Sequence, residues 1–288
     1  MDHHHDQGLA ALPWELLLVA GLAGAAAGYA VAVVAARRRA GWPLHRTVLW
    51  YLGLACAAAA VTGPVAVAAR TSFTAHMLGH LLLGMVAPLL IVLAAPVTLL
   101  LRALPVGRAR SVTRFLRSPG VRVVAHPVTA ALLNAGGLWL LYTTELFHRA
   151  HASAPLGLVV QAHVLLAGCL FTASLVGPDS RLHPVSLRVR ATVLVLFVAA
   201  HSVLAKWLYA HPPATVSLQD ASTGAQLMYY GGDVVDVTLM VLVAAGWYRA
   251  TGRRSGVRAD RIVPTVGGTA SRRGAARGEE RLEARSAR

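Results

Sequence analysis

Two histidines one helical turn apart, His76 and His80, stand at the head of an apolar run in the string Thr74-Ala75-His76-Met77-Leu78-Gly79-His80. At spacing i, i+4 their imidazoles project from one face of a helix, close enough to share a metal ion. From Met77 to Leu101 the sequence holds no charged residue. Such a stretch reads as embedded in lipid, where polar side chains are costly and mark functional positions.

Composition sets the surroundings of that pair. The chain has 288 residues, is 56% hydrophobic and only 14% charged, and has a mean hydropathy of +0.57, far from the balance of a soluble domain. It reads as an all-α, polytopic membrane helix bundle. A formal charge of +15 in a soluble chain would point to nucleic acid. Here the basic residues fall between apolar runs and in the tail, so they speak for topology and the lipid bilayer, with no nucleic-acid partner. The two cysteines, Cys56 and Cys169, lie in separate apolar runs without CxxC spacing, which speaks against a disulfide or a thiolate metal site.

A crossing needs about 20 apolar residues. Seven candidates meet that length: residues 14–36, 48–69, 76–101, 124–144, 155–177, 189–209 and 226–248. Ahead of them, residues 1–13 form a short N-terminal tail with no basic region, so the first apolar run reads as a retained crossing. The connection between the second and third runs is very short, which makes them antiparallel neighbours. Pro88 and Pro96 should kink the third. Beyond the last run, residues 249–288 are rich in Arg, Gly, Ala and Ser, and a disordered basic tail is expected.

Orientation follows from the charges. Arg37, Arg38, Arg39 and Arg46 occupy the first connection. The third carries Arg102, Arg108, Arg110, Arg114, Arg117 and Arg122; the fifth carries Arg181, Arg188 and Arg190; the tail adds eleven arginines. The other side has Arg70 and Arg149, with Lys206 just inside its edge. The positive-inside rule therefore places the N-terminus outside and the C-terminus in the cytoplasm. The stretch Val106–Arg117 mixes arginines with Val112, Phe115 and Leu116, which suits either an amphipathic surface helix or an ordinary positive loop.

With this orientation the scattered histidines form a layer. A rise of about 1.5 Å per residue puts His80 roughly 6 Å below His76. His163 and His201 lie in the outer halves of the fifth and sixth runs, Asp233 and Asp236 in the outer half of the seventh, and Met77, Met85 and Met228 nearby. His148 and His151 sit in the outer loop ahead of the fifth run. Imidazole and thioether together favour copper, with Met selecting the monovalent ion, while imidazole alone also suits haem iron or zinc. The metal candidates are His76, His80, His148, His151, His163 and His201. His3, His4 and His5 are read as a mobile terminus. Asp233 and Asp236 could pair with Lys206 or His201 or belong to a proton path.

A longer set of motifs runs in a recognisable order. His76–Leu83 is followed by Ala87-Pro88-Leu89-Leu90 and Ala95-Pro96-Val97-Thr98-Leu99-Leu100-Leu101-Arg102. His126-Pro127, His148, His151, His163, His201 and Gln226-Leu227-Met228-Tyr229-Tyr230-Gly231-Gly232 come after them. From about Thr47 to Tyr248 the chain resembles the CtaG family of cytochrome c oxidase assembly proteins. The resemblance implies a non-enzymatic, seven-span accessory protein that supplies copper to cytochrome c oxidase subunits. Two places depart from the family's pattern: Asp220 is followed by Ala221 where Gln is usual, and Tyr229 and Tyr230 stand where Trp is expected. Competing readings are a copper or proton transporter using Asp233, Asp236 and Lys206, and a haem-binding redox protein. A di-iron membrane enzyme would need adjacent histidine pairs facing the cytoplasm, and the only adjacent histidines are His3–His5.

Overall fold

The computed structural model describes residues 3–37, 41–177, 185–212 and 216–262, and all its regular elements are helices. Arg38, Arg39, Arg181 and the tail after Ile262 lie outside the described residues, as do the side chains of His3, His4 and His5. The chain divides into two compact units, Met1–Gly246 and Trp247–Arg288. The long helices are α1 (His3–Arg37), α2 (Leu44–Val61), α9 (Pro127–Thr143), α11 (Ala154–Val176), α12 (Leu187–Ala210) and α13 (Leu218–Ile262). Shorter ones are α3 (Gly63–Ala68), α4 (Phe73–Leu81), α5 (Ala87–Leu93), α6 (Pro96–Ala103), α7 (Val106–Leu116), α8 (Pro119–Val124) and α10 (Leu146–Ala152). Thus α1 begins within the expected N-terminal tail, and α13 runs past Tyr248.

Six segments are long and apolar enough to cross a membrane: Leu16–Arg37, Leu44–Ala68, Phe73–Leu93, Ala154–Val176, Leu187–Ala210 and Leu218–Arg249. The fourth expected crossing, 124–144, is shorter than the sequence suggests. Pro127 starts α9 at its first turn, where a missing N–H costs nothing, and His126 Nδ1 accepts the Val128 amide at 3.3 Å. That leaves a helix of 17 residues.

The third crossing also differs from the expected single kinked helix over 76–101. Two residues after His80 it widens into a π segment, Leu82–Val86, in which the Ala87 amide reaches back to the Leu82 carbonyl. Pro88 follows directly. Having no N–H, it cannot bond the carbonyl four residues back, and the π turn absorbs the mismatch that would otherwise bend the helix. The helix then stops at Ala94. Ala95 is left-handed (φ 54°, ψ 54°) because Pro96 bars the right-handed conformation from the residue before it, and α6 restarts with Pro96 at its first position.

Packing around this broken helix is close. Gly168 of α11 faces the π segment, and a Cβ there would lie 2.5 Å from the Gly84 carbonyl oxygen and 2.8 Å from Pro88. Four apolar clusters fill the bundle among the described residues, and two of them are the larger. One gathers Phe171, Leu175, Leu194, Phe197 and Leu239; the other gathers Phe73, Met77, Tyr142, Leu204, Leu208 and Met228. At one end, Tyr29 stacks on Trp50 with centroids 4.7 Å apart and accepts a hydrogen bond from Trp42 Nε1 at 2.9 Å, while Arg46 lies over the Trp42 ring. Arg190 ties the foot of α12 to α11 by donating to the Leu175 carbonyl at 3.2 Å.

Gly168→Val should force α11 away from the π segment. We expect a loss of about 1–3 kcal/mol, typical of overpacking, read as a lower unfolding temperature in detergent. Gly136→Val, where added atoms meet open space, should leave stability unchanged or slightly raised, since Val is the better helix former, and serves as the control.

Candidate metal centre

The helix carrying His76 and His80 is anchored from across the bundle. Asp220, in the first turn of α13, accepts hydrogen bonds from the Phe73 amide (2.7 Å), the Thr74 amide (3.1 Å) and the Ser72 hydroxyl (3.0 Å). Its carbonyl accepts the Thr74 hydroxyl at 3.0 Å. Ser72 adds its own cap by accepting the Ala75 amide. The first amides of a helix have no partner within it, so a carboxylate here satisfies them and complements the helix dipole. Asp220 therefore fixes the height of His76 and His80. In the sequence Asp220 stands out only where a family pattern is departed from, Ala221 following it. An acidic residue ahead of an apolar run is weak evidence alone, and its partner lies almost 150 positions away.

Below that anchor, the rings form two levels. His76 is half-buried; its Nε2 lies 3.0 Å from the Tyr142 hydroxyl, and its ring centroid is 5.3 Å from that of His151 and 5.0 Å from Phe147. The Tyr142 hydroxyl is also 4.0 Å from Met77 Sδ. One turn deeper, His80 and His201 stand with centroids 6.3 Å apart, and they are 8% and 3% exposed. His201 Nδ1 faces Asp236 Oδ2 at 4.0 Å. His80 Nε2, His201 Nε2 and both Asp236 carboxylate oxygens are buried without a hydrogen-bond partner. This lower level lies where two apolar clusters adjoin: Phe197 of one stacks on His201, and Met77 and Leu204 of the other each stand three residues along the same helix from His80 and His201 respectively.

Glycines make room for these rings. A Cβ at Gly232 would lie 2.5 Å from His201 Cε1, and one at Gly84 would lie 3.2 Å from His80 Cε1. Gly224 and Gly231 do the same for Phe73 and Leu81, bringing α13 close to the third crossing.

Four of the six predicted metal residues, His76, His80, His151 and His201, are therefore brought into this two-level arrangement. The other two are not. His163 is exposed on α11, lies over Gly137, and has its Nε2 engaged with the Leu133 carbonyl at 3.1 Å. His148 is exposed and stands edge-on to the Phe147 ring, beside a cleft of about 530 Å³ that His211 also lines. Lys206, a candidate partner for the carboxylates, instead lies over the Tyr229 ring at 5.3 Å.

Among the described residues no group of three or more His, Cys, Asp or Glu side chains forms a ready-made metal cage. The lower level does bring two ring nitrogens without partners together, His80 Nε2 and His201 Nε2. Imidazole nitrogens bind such metals at about 2 Å, so two rings facing across one ion stand with centroids about 6 Å apart. The His80–His201 separation suits that arrangement, which monovalent copper accepts. His151 is oriented as ligating histidines often are, with Nδ1 engaged by the Phe147 carbonyl at 2.9 Å, leaving Nε2 for another partner.

Residues 27–250 match the family described as cytochrome c oxidase caa3 assembly factor (Caa3_CtaG). The chain belongs to that family. It is also 35% identical over 184 residues to uncharacterized proteins of Mycobacterium bovis and Mycobacterium tuberculosis, covering 58% of this chain. An uncharacterized Mycobacterium leprae protein is 31% identical over 166 residues, covering 53% of this chain. The match spans only about a quarter of the length of these curated relatives, 27% and 24%. No solved structure matches the chain.

Asp220→Ala should cost about 1–2 kcal/mol, the usual loss of a helix cap, and should speed hydrogen exchange of the Phe73 and Thr74 amides selectively. Exchange at those amides equal to wild type would show that the cap does not hold the helix start.

Proposed function

We propose that this protein is a seven-span assembly factor of the bacterial plasma membrane that carries copper, as cargo, from its outer face to subunits of a cytochrome c oxidase. The family match supports the assembly role. The observation that carries the copper reading is the pair of buried imidazole nitrogens, His80 Nε2 and His201 Nε2, with no partner in the protein. An unpaired polar atom in a lipid-embedded core is costly, and a bound ion would relieve two at once.

In this reading the upper level, His151 with His76, receives the ion near the outer boundary. The lower level, His80 with His201, holds it where the two apolar clusters adjoin. Asp236 Oδ2 stands 4.0 Å from Nδ1 of His201, beyond hydrogen-bond length; closing that gap on metal binding would hold the ring and leave Nε2 to the metal, as carboxylates behind ligating histidines do. Met77 places a thioether beside Tyr142, a soft donor favouring monovalent copper. The seventh crossing is α9. Its 17 residues span about 26 Å, within reach of the hydrocarbon layer, and it exposes Leu132, Leu133 and Leu140. An odd number of crossings agrees with the charge split, which puts the N-terminus outside and the basic loops in the cytoplasm.

Two experiments check this. A reporter active only outside the cytoplasm should work when fused at the N-terminus and fail after Tyr248; the reverse would turn the histidine levels toward the cytoplasm. His80→Ala and His201→Ala should each insert normally and weaken monovalent copper binding by more than about ten-fold, Asp236→Asn by about ten-fold, while His163→Ala and His148→Ala stay near wild type. Unchanged affinity in the His80/His201 double variant, measured by competition with a chromogenic chelator, would reject the copper role.

A further inference from the structure

On the side opposite the histidines lies a cleft of about 780 Å³ between the end of α6 and helix α7. Its apolar floor comes from Leu101, Leu104 and Val106, and its rim from Arg110, Arg114 and Arg117. The three arginines are spaced i, i+4, i+7, with Arg117 as the C-cap of α7, so they line one face of the helix and its end as a charged edge about 10 Å long. All three are exposed. No acidic residue occurs in the sequence between Glu15 and Glu145, so the segment supplies no carboxylate of its own to neutralise them.

The rest of α7 tells what medium surrounds it. No residue of α7 is buried, and Val106 and Phe115 are 63% and 67% exposed; Val123 on the neighbouring α8 is also 63% exposed. Apolar side chains this exposed beside arginines describe a helix lying in the interface plane of a bilayer. It follows directly on a segment that leads out of the third crossing.

We propose that this cleft is a binding site for one anionic phospholipid of the adjoining leaflet. The phosphate and any further anionic headgroup oxygens would meet the guanidinium edge, where planar donors match phosphate geometry in pairs. An acyl chain would cover Leu101, Leu104 and Val106. Charge complementarity selects the anion, and an apolar floor continuous with the membrane surface selects a lipid over a free ion. Interfacial basic pockets of this kind retain anionic headgroups. The site is independent of the copper reading, since it shares no residue with the histidine levels.

The test is native mass spectrometry of the full-length protein in detergent, titrated with phosphatidylglycerol and, separately, with phosphatidylcholine. The wild type should retain one phosphatidylglycerol with clear preference. Arg110→Gln/Arg114→Gln/Arg117→Gln should reduce that preference by at least about ten-fold, since the guanidinium edge supplies the attraction for the anionic headgroup. Arg253→Gln/Arg254→Gln/Arg258→Gln, with the same loss of charge, should keep it. Replacing the three rim arginines by lysine should give an intermediate loss, because the charge stays and the paired donors go. Undiminished preference in the rim variant, an equal drop in the tail variant, or displacement of the lipid by millimolar inorganic phosphate would each overturn the proposal. A reading without mutations stands beside this one. In nanodiscs the amides of Val106–Leu116 should exchange more slowly with phosphatidylglycerol than with phosphatidylcholine, and identical exchange would also overturn it.

Discussion

The carboxylate of Asp220 holds the start of α4 and thereby sets the register of the end of the bundle that carries the histidines. Three donors of the Ser72–Thr74 segment converge on it from across the bundle. In a membrane the first amides of a helix cannot turn to water once they are buried, so they must find a protein acceptor. With α13 pinned at that level, Gly224 meets Phe73 and Gly231 meets Leu81, and the two helices descend side by side. Gly232 then lies against His201 on α12, and Asp236 reaches the same ring one turn lower. The positions of the two histidine levels thus follow from one capping interaction and a face of glycines.

The price of the arrangement falls on the lower level. A carboxylate 1% exposed and two imidazoles under 9% exposed are set where apolar clusters adjoin, with four nitrogen and oxygen atoms left without partners. Each such atom costs on the order of 1–3 kcal/mol. Apolar side chains of similar size would make a more stable bundle. The sequence retains the costly groups, and it also places a π turn and glycines around them. Widened turns of this kind recur at functional sites because they re-aim side chains without ending the helix. Here the π segment begins two residues after His80 and puts Gly84 against its ring.

Much of this was legible in the residues. Apolar runs gave six of the crossings, and the i, i+4 spacing placed His76 and His80 on one face. His201 was a visible candidate as a lone histidine inside an apolar run. His163 looked the same in sequence, yet it is turned outward to a backbone carbonyl, and no local pattern separates the two cases. That difference is made by which neighbour each helix face meets. The break at Ala95 and the π turn were hidden for another reason: proline predicts a disturbance, while the form it takes depends on what packs against it. Pro127 shortened the fourth run, a boundary effect that hydropathy averages away. Asp220 carried no readable signal, because its role depends on a contact between segments far apart in the chain.

The central claim is that His80 and His201 hold one ion between them. X-ray absorption spectroscopy of the purified full-length protein loaded with one equivalent of monovalent copper tests it most directly. The account predicts a low-coordinate site with imidazole nitrogens at about 2 Å, whose imidazole scattering falls by about half in His201→Ala. A spectrum unchanged in His80→Ala and in His201→Ala would place the copper elsewhere and contradict it.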